Sequence, residues 1–71
     1  MKLTVNGKEE VLEAKTLTIN EFLKLKEVKM PDMVTIELNG DILDRELFAT
    51  QELKEGDSLE LLYFMGGGQL D

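Results

Sequence analysis

The chain has 71 residues, no cysteine, no histidine, and 15 acidic against 8 basic side chains, for a net charge of -7. That length holds one domain with one modest core, and the missing residue types exclude disulfides, thiolate nucleophiles and the commonest metal ligand, so hydrophobic packing must hold the fold unaided. An acidic surface repels phosphate backbones and anionic lipid, which argues against nucleic acid or membrane as a partner; it serves solubility, or steers the chain to a partner with a basic face. The start, Met1 to Gly7, is too short and too alternating for a secretory apolar segment, and no run approaches membrane-spanning length, so a cytoplasmic protein, monomeric when alone, is expected.

The first element alternates, with Leu3 and Val5 on one side and Lys2, Thr4 and Asn6 on the other, as in a half-buried strand. Asn6-Gly7 is the pair that best tolerates the positive φ angles of a tight hairpin, and the return strand is expected over Glu9 to Glu13. Its facing stays open, because Val11 and Leu12 are adjacent. Thr18-Ile19-Asn20-Glu21 then fits a capping box, with Leu17 and Phe22 at hydrophobic-staple positions. Ile19, Phe22 and Leu23 share the apolar face of the helix that follows, Leu25 lies on its flank, and Pro31 predicts a stop near Val28.

From Met33 to Asn39 the pattern alternates again, with Val34, Ile36 and Leu38 as the inward set. Asn39-Gly40 is a second hairpin-type turn, leading to the short apolar pair Ile42 and Leu43. No strong period marks Asp44 to Leu53, where Leu47, Phe48 and Leu53 are expected to plug one end of the core. Lys54-Glu55-Gly56-Asp57 reads as a turn into a last strand, Leu59 to Phe64, whose apolar character suits a central position. The order of elements predicts an α+β sheet of four to five strands with one main helix across one face.

Parity along the last strand puts Leu59 and Leu61 toward the helix and Glu60, Leu62 and Phe64 on the open face. Tyr63 then points inward or to the core margin. Glu60, Leu62 and Phe64 are the candidate docking residues, because they lie near the root of the segment that follows. That segment is Met65-Gly66-Gly67-Gly68-Gln69-Leu70-Asp71. Consecutive glycines have nothing with which to pack and lose the most backbone freedom on ordering, so residues 1-64 are expected to form the body and residues 65-71 a flexible arm. Glu9-Glu10 and Asp41/Asp44 could hold a cation weakly, but no spacing resembles a dedicated metal loop, and no carboxylate pair is predicted to share a pocket.

Asn39-Gly40, Arg45, Glu55-Gly56-Asp57, the apolar strand to Phe64 and Met65-Gly66-Gly67-Gly68 together carry a resemblance. In this element order, from Met1 to Gly68, the chain resembles the ThiS/MoaD family of sulfur carrier proteins, which have the ubiquitin-like β-grasp fold. It is closer to the thiamine branch than to the molybdopterin branch, being short and lacking a proline-containing approach to the glycines. The resemblance implies a carrier, not an enzyme. An adenylating, ubiquitin-activating-like enzyme would use ATP on the terminal glycine, and the resulting thiocarboxylate would give its sulfur to a synthase, with thiamine's thiazole as the leading product and a sulfur-containing amino acid as the alternative. No cofactor is expected on the chain itself.

By the same resemblance, Gly68, or alternatively Gly67, is the reactive end, with Met65, Gly66 and Gly67 threading the enzyme's channel. Four extended residues reach roughly 13 Å, and the absence of Cβ atoms allows close backbone approach. Carriers ready for activation end at the glycine, whereas Gln69-Leu70-Asp71 follows here. A precursor trimmed by a peptidase (a metalloprotease is one candidate), an inert divergent homologue and an artificially introduced end are the three readings of that extension. A ubiquitin-like modifier joined to protein lysines and a plain β-grasp interaction module are the alternatives for the chain as a whole.

Overall fold

The computed structural model describes residues 1–63. Phe64, Met65, the three glycines and Gln69 to Asp71 lie outside the described residues, and with them the expected boundary between body and arm.

In chain order the elements are β1 (Lys2–Val5), β2 (Lys8–Val11), β3 (Leu17–Thr18), α1 (Ile19–Leu25), a 3-10 turn (Pro31–Met33), β4 (Val34–Leu38), β5 (Asp41–Ile42), a second 3-10 turn (Arg45–Leu47), β6 (Glu52–Leu53) and β7 (Ser58–Tyr63). Five strands form one sheet in the order β2-β1-β7-β4-β5, in which only the β1–β7 pair is parallel. α1 buries Ile19, Phe22 and Leu23 against one face of that sheet, where Leu3, Val5, Val34, Ile36 and Leu59 meet it. This is the mixed sheet and single helix expected of a β-grasp fold.

Both hairpins follow from their Asn-Gly pairs. Asn6 and Gly7 have φ of 51° and 84°, and Asn39 and Gly40 have φ of 53° and 93°, the two consecutive positive values that a twisted two-residue turn requires. A two-residue turn places Lys8 directly opposite Val5, so β2 starts one residue earlier than expected and ends at Val11. The open question of facing is also resolved: Val11 is 75% exposed, while Leu12 packs against the core. Glu9 and Glu10 therefore point to opposite faces and cannot share a cation. Glu10 instead pairs with Lys26 at 2.8 Å, and Glu9 approaches Lys2 at 3.9 Å.

The capping box is formed as expected. Thr18 N–H donates to Glu21 Oε1 at 2.9 Å, and Glu21 N–H donates to Thr18 Oγ1 at 3.2 Å. The helix ends at Leu25, three residues before the expected stop near Val28. Glu27 N–H donates to Lys24 C=O and Val28 N–H to Leu23 C=O, both at 3.0 Å, with Glu27 at φ 58°. These are the two bonds of a Schellman cap, with Glu27 at the left-handed position glycine usually fills. Leu25 is left exposed rather than on the margin of the core.

The stretch from Asp44 to Leu53 contains a strand pairing that its sequence did not announce. β6 runs antiparallel to β3, with Leu17 opposite Leu53 and Thr18 opposite Glu52. Phe48 and Leu53 plug the core as expected, but Leu47 does not and is 43% exposed. A 3-10 turn advances about 120° per residue, so neighbours such as Leu47 and Phe48 cannot both face inward. Arg45 braces the same corner. Its Nη1 donates to Pro31 C=O at 2.8 Å, its Nη2 to Val34 C=O at 2.7 Å, and its guanidinium lies 5.2 Å from the centre of the Phe48 ring.

A left-handed conformation costs an L-residue roughly 1–2 kcal/mol, and glycine is free of that cost. Glu27→Gly should therefore raise unfolding free energy by about 1 kcal/mol, read as a higher urea midpoint at unchanged slope; a lower midpoint would show that Glu27 is not held in this conformation.

Candidate functional site

β7 is the element that would present a C-terminal segment to a partner, and the sheet fixes it on both sides. Along its length it pairs antiparallel with β4, from Leu38 opposite Leu59 to Val34 opposite Tyr63. On the other side β1 meets only Ser58 and Leu59. Leu59 is fully buried, an anchor worth about 2 kcal/mol of apolar transfer. Where β1 turns away, the Asn6 side chain continues the contact, its Oδ1 accepting from Leu61 N–H at 2.8 Å.

Three of the residues that carried the family resemblance, Asn39, Glu55 and Asp57, serve this anchoring. Asn39 Oδ1 accepts from Ser58 N–H at 2.9 Å, and its Nδ2 donates to Asp57 Oδ1 at 3.0 Å. Asp57 Oδ2 accepts from Lys54 N–H at 2.8 Å, and Glu55 Oε1 accepts from Lys2 N–H at 3.0 Å. The two turns are thus tied to each other, to the start of β7 and to the start of β1. Arg45, Asn39, Glu55 and Asp57 hold the scaffold and present no reacting group.

The side chains of β7 face as parity placed them, as far as the described residues reach. Leu59 and Leu61 turn to the helix, Glu60 is exposed on the opposite face, and Leu62 is 37% exposed beside it. Phe64, Met65, Gly66, Gly67 and Gly68 lie outside the described residues. Tyr63 is not inward. It is 50% exposed and lines a groove with Lys26, Val28 and Met30, at the margin that was the second of its two expected positions.

One residue of this face went unread in the sequence. Glu37 lies directly opposite Glu60 in the β4–β7 ladder, with Ile42 on its other side. Alternation puts Glu37 outward, but only the register sets it against Glu60. Like charges directly opposite in a sheet are destabilising, so the open face combines a repulsive acidic pair with the apolar Leu62 and Ile42. Such a face is complementary to a basic surface with an apolar centre. Among the described residues no three carboxylates gather as a metal ion would need, and no helix is long and apolar enough to cross a membrane.

Replacing one member of the acidic pair gives a direct check. Glu60→Lys should raise stability by about 0.5–1 kcal/mol at low salt, with the gain shrinking as salt is added. Urea unfolding at two ionic strengths measures it, and a loss of stability at both would mean that the two carboxylates do not face each other.

Comparison with known proteins adds to this geometry. The family model described as the ThiS family matches residues 2–68. The chain is 32% identical over 66 residues to the sulfur carrier protein ThiS of Bacillus subtilis, a match covering 93% of this chain and 98% of that one. It is also 33% identical over 69 residues to a thiazole synthase of Magnetococcus marinus, spanning 97% of this chain but only 21% of that protein's length. Among solved structures, the crystal structure of the thiamine biosynthesis protein ThiS from Geobacter metallireducens superposes with a TM-score of 0.87 at 48% identity, over 96% of this chain and 100% of that one. An NMR solution structure of a thiamine biosynthesis protein from the same organism gives 0.81 at 47% identity, over 100% and 92%.

Proposed function

The chain belongs to the ThiS family, and on that premise we propose that it is the sulfur carrier of thiamine biosynthesis, working through a thiocarboxylate on Gly68. The observation that carries the position is the extent of the family match, which takes in all three glycines and stops at Gly68. Gln69, Leu70 and Asp71 fall beyond it, which supports removal of these three residues by a peptidase before activation. Gly67 remains the other candidate end.

The chemistry requires no side chain of the carrier. A carboxylate oxygen of Gly68 attacks the α-phosphate of ATP on an adenylating enzyme, and pyrophosphate leaves. Sulfide supplied by the pathway as HS⁻ then attacks the acyl carbon, AMP leaves with the bonding electron pair, and loss of the S–H proton leaves the thiocarboxylate. Leu70 and Asp71 carry a branched and a charged side chain, which a channel shaped for bare backbone would not admit. ATP is consumed on the enzyme, and the carrier itself needs no cofactor. Met65, Gly66 and Gly67 are the threading residues, and Glu60, Leu62 and Phe64, joined by Glu37, form the docking face for a partner with a basic rim. The alignment of nearly the whole chain with part of a thiazole synthase supports a thiazole synthase as the sulfur acceptor.

The test uses the cognate adenylating enzyme, ATP, a sulfur donor and intact-mass spectrometry. The form ending at Gly68 should gain the mass of one oxygen replaced by sulfur, and the full chain should not until a peptidase has acted. Equal conversion of the full chain would overturn the proposed trimming. Adducts on protein lysines with no thiocarboxylate would favour a modifier instead. Leu62→Asp should leave the unfolding free energy within about 0.5 kcal/mol of the parent while slowing activation about tenfold or more, since it places a charge at the centre of the docking face.

A further inference from the structure

Among the described residues, the end of β7 has no strand beside it on the β1 side, where pairing stops at Leu59. Asp57 and Leu59 carbonyls accept from Thr4 and Asn6 N–H groups, both at 2.9 Å, and Leu61 N–H reaches Asn6. The odd-numbered residues of β7 therefore aim their backbone groups toward β1. The even-numbered ones aim toward β4, where Ser58 C=O accepts from Asn39 N–H at 2.7 Å and the ladder continues through Glu60 and Leu62. Because β1 turns away at Asn6-Gly7, Leu61 C=O and Tyr63 N–H face the β1 side with no backbone partner among the described residues. These two groups are the acceptor and donor that a single residue of a parallel strand takes up. Leu62 on one face and Tyr63 on the other are both exposed at this point, so a segment laid along the edge also finds apolar contact on each side.

We propose that the adenylating enzyme engages this carrier by adding an extended strand of its own to the β1-side edge of β7 at Leu61 and Tyr63. The proposal rests on the sulfur-carrier reading and adds to it the surface by which the body is held. Main-chain pairing gives affinity, while pockets for alternate side chains give specificity. The pairing also has a mechanical use. Glycines beyond residue 65 offer an enzyme only backbone groups to hold, so a ladder begun on β7 sets the depth to which the following residues enter the channel. Asn6 marks where the added strand begins, because its side chain already occupies Leu61 N–H.

The experiment replaces Tyr63, in the form ending at Gly68, with its α-hydroxy analogue, so that the side chain stays and the N–H becomes an ester oxygen. Affinity for the cognate adenylating enzyme should fall about 2- to 12-fold, the range expected for one hydrogen bond. Tyr63→Pro should weaken binding well beyond Tyr63→Ala and still fold, because the groups bonded to β4 belong to Glu60 and Leu62 and proline is tolerated on an open edge. Amide exchange should find Tyr63 N–H unprotected in the free carrier and protected in the complex. Unchanged affinity of the ester form would overturn the proposal, and so would protection of Tyr63 N–H in the free chain. At saturating enzyme the ester form should still be fully converted to thiocarboxylate, so failure of conversion in the parent chain would count against the carrier reading, independently of the edge.

Discussion

Everything in this domain depends on β7 lying between β1 and β4. The strand made last fills the middle of the sheet, and its partner β1 was made first, so the parallel contact joins residues more than fifty positions apart. Closing a loop of that size costs conformational entropy before any contact rewards it. The two ends of the sheet therefore cannot form independently. β1 with β2, and β4 with β5, are local hairpins with their own turns, but neither has a core until β7 enters and buries Leu59. The network of Asn39, Asp57, Lys54, Glu55 and Lys2 is concentrated at the point where that insertion begins. It supplies directional bonds where a short parallel ladder alone would be weak.

The same strand divides the molecule by function. Its helix-facing side contributes to a closed hydrophobic core, and its other side joins an open face that no element of the described chain covers. The facing carboxylates of Glu37 and Glu60 work against the sheet, yet they give an acidic patch that a basic partner would neutralise.

Much of this architecture was legible in residue order. The Asn-Gly pairs predict positive φ at both turn positions, and the capping box at Thr18 and Glu21 places the helix start, because these are local effects that need no knowledge of the rest of the chain. Burial of Leu3, Val5, Val34 and Ile36 follows from alternation. What escaped were the features set by register or by competition. Glu37 meets Glu60 only because β4 and β7 slide to one particular alignment. The β3–β6 pair involves two residues on each side, too short for any period to show. Glu27 takes the left-handed position against its own preference, since Val28 packs with Leu23 once the helix stops there. Leu47 loses the core to Phe48, a choice that hydrophobicity cannot make.

The parallel run of β1 and β7 has a consequence for handling this protein. With Thr4 level with Ser58, Met1 lies some eight residues behind Tyr63 along a shared direction, a separation of roughly 25 Å. The amino end and the outgoing end of the body therefore sit at opposite poles of the sheet. An affinity label, a dye or a whole second protein attached ahead of Met1 would hang away from the pole toward which β7 runs. The same cargo attached after Tyr63 would leave from the other pole.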